Sequence, residues 1–85
     1  MTEVASLTDT VLDVLSDVLG VSVGQLQEHP VLAAYEWDSL SSLEALAQLE
    51  GRLRIVLDLR AYQAVRTVAE LVELADRSPR RGAQS

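Results

Sequence analysis

The chain has no cysteine, no phenylalanine and, in its first 51 residues, no lysine or arginine. Without cysteine it has no disulfides, zinc–thiolate sites or thiol nucleophile of its own, so any thiol chemistry must arrive with a cofactor. No apolar run approaches the roughly 20 residues that a membrane-spanning helix needs. The first residues, Met1-Thr2-Glu3, lack the basic region that opens a signal peptide. We therefore expect a cytoplasmic protein with no membrane partner.

The missing basic residues make the charge distribution uneven. Residues 1–51 contain nine acids, whereas residues 52–85 contain four acids and seven arginines, for a net charge of −6. An acidic surface repels the phosphate backbones of nucleic acids, so no nucleic-acid partner is expected. We expect this surface to attract enzymes that carry basic docking patches.

What the chain does have is an aliphatic composition arranged at helical spacing. Its 85 residues support one small domain, and 48% hydrophobic residues exclude a disordered chain. Apolar residues recur at helical spacing in segments that begin near residues 7, 39 and 67. A short third helix is predicted between about residues 59 and 65. The predicted fold is an all-α, small four-helix bundle, three longer helices plus a short third one, with a long loop at residues 21–37 between helices I and II.

The boundaries within this bundle follow from local signals. Helix I stops at Gly20, helix II runs from about Ser39 to Leu53, and Thr67-Val68-Ala69-Glu70 is a capping box that opens the last helix. Residues 53–59 alternate like a strand but have no partner strand, so we interpret them as an extended connector. We predict a domain at residues 1–76 and a disordered basic tail at 77–85. The predicted buried stripe of helix II comprises Leu40, Leu43, Leu46, Ala47, Leu49 and Leu53.

The most informative residue is Ser39, in the segment Trp37-Asp38-Ser39-Leu40. A helix N-terminus offers unpaired N–H groups and a positive dipole end, which stabilise a phosphodiester by roughly 0.3–1 kcal/mol at an exposed site. The negative charge of Asp38 opposes a phosphodiester at Ser39. A hard cation such as Mg²⁺ would remove this conflict by bridging the carboxylate and the phosphate while the phosphate is attached to the serine. The plainer alternative is that Ser39 and Asp38 only cap the helix.

Asp38-Ser39-Leu40, which opens a second helix after a long loop, resembles the attachment motif of acyl carrier proteins. The resemblance extends over about residues 4–76. It implies that the Ser39 hydroxyl accepts 4′-phosphopantetheine from coenzyme A, with Asp38 assisting attachment and Leu40 lying beside the arm. The chain departs from the family pattern at Glu36 and Arg54, where the family usually has glycine. Further matches are Leu43, Glu44, Leu46, Leu49 and Glu50 in helix II, the apolar pattern after it, and Thr67-Val68 with Glu70-Leu71-Val72 in the last helix.

The resemblance implies a carrier rather than an enzyme, with an acyl group held as a thioester on the arm and presented to partner enzymes. Because Ser41, Gly51 and Arg52 replace positions that are often acidic, helix II is less acidic than in the family. This favours a dedicated pathway such as polyketide or peptide natural-product assembly. A free-standing peptidyl carrier of nonribosomal peptide assembly is the alternative. The expected partners of this monomer are a phosphopantetheinyl transferase, an acyl- or aminoacyl-loading enzyme, and synthase, condensation or tailoring enzymes.

Four residues are candidates for contact with these partners. Trp37 precedes the attachment motif, and Leu43, Glu44 and Glu50 lie on helix II. Glutamates at such positions pair with basic residues of a partner and tune the rate of association. The plainer interpretations are loop packing for Trp37, core packing for Leu40 and Leu43, and solvated surface for the two glutamates.

Two other functions remain as alternatives. A serine hydrolase needs a base oriented toward Ser39, but His29 is the only histidine and no Gly-x-Ser-x-Gly motif is present. The same scarcity of histidine and cysteine leaves no expected metal site. A non-covalent helical adaptor is compatible with the composition, and it would keep its function after Ser39→Ala.

Overall fold

The computed structural model describes residues 7–80, and these residues form helices joined by short connections. The all-α prediction is confirmed, because no strand occurs among the described residues. A 3₁₀ turn, Leu32–Ala34, precedes the longest helix. The α-helices are α1 (Leu7–Leu19), α2 (Val23–Glu28), α3 (Ser39–Leu53), α4 (Leu59–Gln63) and α5 (Val68–Arg77).

The core is built around α1, which packs against both α3 and α5. Its apolar residues at helical spacing face inward, as predicted, while Asp13 and Asp17 face solvent. Tyr62 is the only aromatic residue among the buried core residues, so the interior is otherwise aliphatic. The core consists of Val11, Leu12, Val14, Leu15, Leu26, Leu32, Ala45, Leu49, Ile55, Leu57, Tyr62, Val68, Leu71, Leu74 and Ala75.

Two helices end in a left-handed residue. Gly20 follows α1 with φ 69°, which glycine adopts without steric cost. Arg54 follows α3 with φ 56° and is the only non-glycine residue with positive φ among residues 7–80. A side chain in this region costs about 1 kcal/mol relative to glycine. Glycine would adopt this conformation without that cost, which Arg54 bears.

The helix α5 begins where its capping sequence predicts. The Thr67 hydroxyl accepts a hydrogen bond from the backbone N–H of Glu70 at 3.1 Å. The Glu70 carboxylate reaches back to the N–H of Arg66 at 2.7 Å, one residue before the expected partner. Two backbone N–H groups at this helix start are thus satisfied by nearby side chains.

The segment 21–37 is more structured than the predicted loop, since it contains α2 and the 3₁₀ turn. Ser22 caps α2 by accepting a hydrogen bond from Gln25 N–H at 3.0 Å. The spacing Ser22-x-x-Gln25 is a capping-box pattern, and it is the signal that sequence reasoning missed. A six-residue helix is too short to show apolar periodicity. Leu26 and Leu32 of this segment are buried, so they pack it onto the core.

Backbone hydrogen bonds tie this segment to the connection between α4 and α5. The N–H of Leu32 donates to the carbonyl of Arg66, and the N–H of Val68 donates to the carbonyl of Pro30, each at 2.9 Å. The Tyr35 hydroxyl donates to the carbonyl of His29 at 2.6 Å, just after α2. These bonds hold the chain in place immediately before α3 begins.

Residues 54–58 form the predicted extended connector, and the residues after α5 pair with it. Ile55 forms an isolated antiparallel bridge with Arg80, and Val56 N–H donates to the carbonyl of Pro79 at 2.9 Å. The tail predicted from residue 77 is therefore wrong for residues 77–80, because α5 continues through Arg77 and the next residues satisfy connector backbone groups. Residues 81–85 of the predicted tail lie outside the described residues.

The predicted buried stripe of α3 is confirmed at Leu49 and, in part, at Leu46 and Leu53, but it is wrong at its other three positions. Leu40 is 75% exposed and Leu43 is 53% exposed, and Ala47 also faces solvent. The buried residues are Ala45 and Leu49, with Leu46 and Leu53 half-buried beside them. Leucine occurs on two sides of this helix, and only packing against α1 selects the side that is buried.

Candidate functional site

The site is built on the first turn of α3. Asp38 is the N-cap, and its Oδ1 accepts a hydrogen bond from the N–H of Ser41 at 2.8 Å. Ser39 is the first residue of the helix, so the interpretation of Ser39 itself as the cap is wrong. Its side chain is exposed, and among residues 7–80 its hydroxyl has no hydrogen-bond partner. The carbonyl of Ser39 accepts a hydrogen bond from the Ser42 hydroxyl at 3.1 Å.

The capping bond also sets the charge beside Ser39. The backbone N–H of Ser41, followed by the Ser41 hydroxyl, holds the pKa of Asp38 below its ordinary value of 3.8. The carboxylate is therefore ionised at neutral pH although it lies next to the attachment candidate. The Asp38 carboxylate thus caps the helix through a hydrogen bond and also presents a negative charge to solvent.

An open groove of about 410 Å³ adjoins Ser39. Its polar side chains belong to Asp38, Ser42 and Gln63. Hydroxyl, amide and carboxylate groups of this kind suit an arm whose own backbone carries amide and hydroxyl groups. The groove is lined by Trp37, Asp38, Ser39, Ser42, Tyr62 and Gln63. The residues present thus fit a polar prosthetic arm that leaves the helix at Ser39.

Two aromatic rings form the apolar side of this groove. The rings of Trp37 and Tyr62 lie 6.2 Å apart, tilted by 60°. Tyr62 is only 2% exposed, and its hydroxyl donates to the carbonyl of Ser42 at 2.5 Å. Burial raises the pKa of Tyr62, so its hydroxyl stays a neutral donor. Half-buried Trp37 packs against the core, in line with the plainer of its two interpretations.

The sequence pattern connects neither Tyr62 nor Gln63 with Ser39. Both come from α4, more than twenty positions along the chain. No local motif marks them, because their place in the groove depends on how α4 packs against α3. The bond from Tyr62 to Ser42 is the contact that brings the two helices together here.

The remaining predicted docking residues separate into two groups. Leu40, Leu43 and Glu44 are exposed on the outer side of α3, where a partner has access to them. Glu50 is different, because its Oε2 accepts a hydrogen bond from the N–H of Leu57 at 3.0 Å and the contact is partly buried. Glu50 thus braces α3 against the connector, and its role as a docking charge stays a prediction.

The hydrolase alternative finds no support in this geometry. No histidine lines the groove beside Ser39, and His29 lies on the exposed segment after α2. Among residues 7–80, no group of three or more histidine, cysteine or acidic residues is arranged to hold a metal ion. None of the helices described here combines the length and the apolar character needed to cross a membrane.

Comparison with known proteins agrees with the site geometry. Residues 9–75 match the sequence profile of a family described as "Phosphopantetheine attachment site". The chain is also 34% identical over 61 residues to the polyketide synthase PksR of Bacillus subtilis strain 168. That alignment covers 72% of this chain but only 2% of PksR. No solved structure was found to match this chain.

Proposed function

We propose that Ser39 holds the prosthetic arm of this chain, which belongs to the phosphopantetheine attachment site family. The family match confirms, at the level of the family, the resemblance that the sequence motif indicates. Members of this family carry covalently attached 4′-phosphopantetheine and are carriers rather than enzymes, so the chain is a phosphopantetheine carrier. It works with a transferase that attaches the arm and with synthase enzymes that act on the cargo.

The observation that supports Ser39 is its exposed hydroxyl on the first residue of α3, next to a capped Asp38. The hydroxyl is free of intramolecular hydrogen bonds within residues 7–80, so a transferase reaches it without breaking one. The positive end of the α3 dipole favours the phosphodiester formed there. Because α3 is fifteen residues long and packed on α1, the attachment point is held on a rigid element.

Asp38 has two parts in this proposal. It caps α3 through Ser41 N–H, and its ionised carboxylate would help to hold a Mg²⁺ ion, which would offset the negative charge of the phosphate during attachment. Asparagine at the same position preserves the cap but removes the charge. Asp38→Asn therefore separates the role in attachment from the role in folding.

We further propose that the cargo is an acyl group of polyketide-type biosynthesis. The arm supplies a terminal thiol that holds such a group as a thioester. The support is the 34% identity to a polyketide synthase, together with the weakly acidic outer side of α3. Leu40, Leu43 and Glu44 form the side of α3 that meets the transferase, an acyl-loading enzyme and the synthase or tailoring enzymes.

We also propose that the carrier is a monomer and that it works in the cytoplasm. Light scattering on the full chain is expected to give a mass of 9.3 kDa at all concentrations tested. A mass that rises toward twice this value with concentration would contradict the monomer.

The decisive experiment is intact mass before and after incubation with coenzyme A, Mg²⁺ and a promiscuous phosphopantetheinyl transferase. We expect wild type to gain one phosphopantetheine and Ser39→Ala to gain none while keeping its helical circular dichroism. Ser41→Ala is the matched control, because it removes a hydroxyl two residues further along the same helix turn. It is expected to be modified to completion.

Asp38→Asn tests the assisting role in the same assay. We expect slower modification with little change in melting temperature at neutral pH, since the cap remains. A folded wild type that gains no mass, beside a control carrier that does, would contradict the assignment of Ser39 and favour the adaptor alternative.

A further inference from the structure

An apolar groove lies between α1, α2 and α5, away from the helices that form the site at Ser39. Its volume is about 350 Å³, and only two of its lining side chains are polar. Leu12, Leu26 and Val68 are its buried residues, one from each helix. Ala69 and Val72 of α5 line it with side chains that remain accessible. The groove shares no lining residue with the groove at Ser39.

Backbone contacts hold the walls of this apolar groove in place. The N–H of Val68, at the start of α5, donates to the carbonyl of Pro30 at 2.9 Å, just after α2. Val31 and Thr67 form an isolated antiparallel bridge beside this bond. The helix α1 packs against both α2 and α5. The groove is therefore formed before anything binds to it, as is typical of binding sites.

The helices that form the groove are strongly acidic. They carry seven acidic residues, three on α1, one on α2 and three on α5, against a single arginine. Residues three or four positions apart are neighbours on a helix surface. Asp9 lies three positions before Leu12, and Asp76 lies four positions after Val72. Together with Glu28 at the end of α2, these exposed carboxylates place negative charge beside the apolar lining.

The arginines of this part of the chain do not line the groove. Arg77 lines a different cavity, together with residues of α4. Arg66, which precedes α5, lines a cavity beside Trp37. The apolar groove thus has an acidic rim, which repels anionic lipid surfaces and nucleic acids. An occupant that is apolar where it enters the groove and positively charged where it meets the rim complements it.

We propose that this groove docks an amphipathic helix of a partner protein, with apolar residues on the side that enters the groove and lysine or arginine beside them. Such a helix presents apolar side chains at three- and four-residue spacing, which suits a groove between helices. The inference does not depend on attachment at Ser39. A partner held here would leave Ser39 and the outer side of α3 accessible to other enzymes.

The probe is a helical peptide of leucine and lysine, with leucine confined to one side, added to the isotopically labelled full-length protein. We expect saturable shifts of the backbone amides at Leu12, Gln27 and Ala69, and little change at Leu40 and Leu43. The same peptide with glutamate in place of lysine should bind about tenfold more weakly or worse, because the acidic rim repels it. Added salt should weaken binding of the lysine peptide, since exposed charges are screened.

Two matched pairs of variants locate the bound helix, and circular dichroism confirms that each variant is folded. Ala69→Leu fills the groove, whereas Ala47→Leu makes the same substitution on the outer side of α3. We expect binding weakened by about tenfold in the first and by less than about twofold in the second. Glu28→Lys and Glu44→Lys reverse the charge of two exposed residues. Only Glu28→Lys is expected to weaken binding, because only Glu28 lies at the rim.

The outcomes separate this inference from the assignment of Ser39. Ser39→Ala should bind the lysine peptide as wild type does, and saturating peptide should leave the rate of phosphopantetheine attachment unchanged. Amide shifts centred on α3, slowed attachment, or equal binding of the two peptides would overturn the docking groove.

The same experiment identifies another occupant. Shifts of the groove amides when the protein alone is concentrated would assign the groove to a second copy of the chain, and they would also overturn the proposal. A protein that binds the lysine peptide in the groove but gains no phosphopantetheine would contradict only the assignment of Ser39.

Discussion

The two sides of α3 are built from similar residues but used differently. The inner side presents Ala45 and Leu49 to α1, and both are buried. The outer side presents Leu40, Leu43 and Ala47 to solvent. Leucine at an inner position stabilises the fold, whereas leucine at an outer position leaves apolar area for another molecule. Hydrophobicity alone therefore does not distinguish core from contact surface in this helix.

The largest expected effect is a difference between two identical substitutions. Leu49→Ala removes a fully buried side chain and should lower the free energy of unfolding by about 2–5 kcal/mol. Leu40→Ala removes an exposed side chain and should change it by about 0.5 kcal/mol or less. Urea denaturation followed by circular dichroism measures both. Similar losses at the two positions would mean that the inner and outer sides are wrongly assigned.

The two glutamates of α3 extend the comparison of its two sides from leucines to charged residues. Glu50→Ala deprives Leu57 N–H of its acceptor in a partly buried place, and a loss of about 1–2 kcal/mol in unfolding free energy is expected. Glu44→Ala should stay within about 0.5 kcal/mol, because this side chain is exposed. An equally small loss of unfolding free energy in both variants would count against the bracing role of Glu50.

The end of α3 belongs to neither side of the helix. Two substitutions there are expected to change the unfolding free energy in opposite directions. Arg54→Gly relieves the left-handed conformation and should raise the unfolding free energy by about 1 kcal/mol. Arg52→Gly makes the same change of charge inside the last helical turn and should lower it by about 1 kcal/mol. Thermal and urea unfolding of both variants provide the measurement. If both substitutions destabilise, the strain attributed to Arg54 is absent.

The smallest expected effect lies at the start of α3 and depends on pH. The folded pKa of Asp38 is lowered, so its contribution to stability is complete above the ordinary value of 3.8 and is lost as pH falls through the folded value. Asp38→Asn keeps a cap that does not titrate. The stability of wild type relative to Asp38→Asn should therefore decline as pH falls below 3.8. Melting temperatures of the two proteins from neutral to acidic pH measure this, and a constant difference would argue against the capping bond.

Prediction from the sequence succeeds where the controlling interactions are local. The bounds of α3, Ser39–Leu53, agree with the predicted ones, since Asp38 and Ser41 lie within one turn of each other. The start of α5 is set in the same way by Thr67 and Glu70. The six-residue helix α2 was missed, because helices of that length carry a capping signal but no periodicity.

The sequence by itself determined that the chain is a small helical bundle and that Ser39 opens its second long helix, because caps and apolar spacing act between residues a few positions apart. Only the tertiary structure decided which leucines of α3 are buried, why Glu50 turns toward Leu57, and which residues line the groove at Ser39. These outcomes depend on α1, the connector and α4 meeting α3 in space. Contacts between residues distant in the chain leave no pattern in one sequence, and packing selects one of several surfaces that the same residues permit.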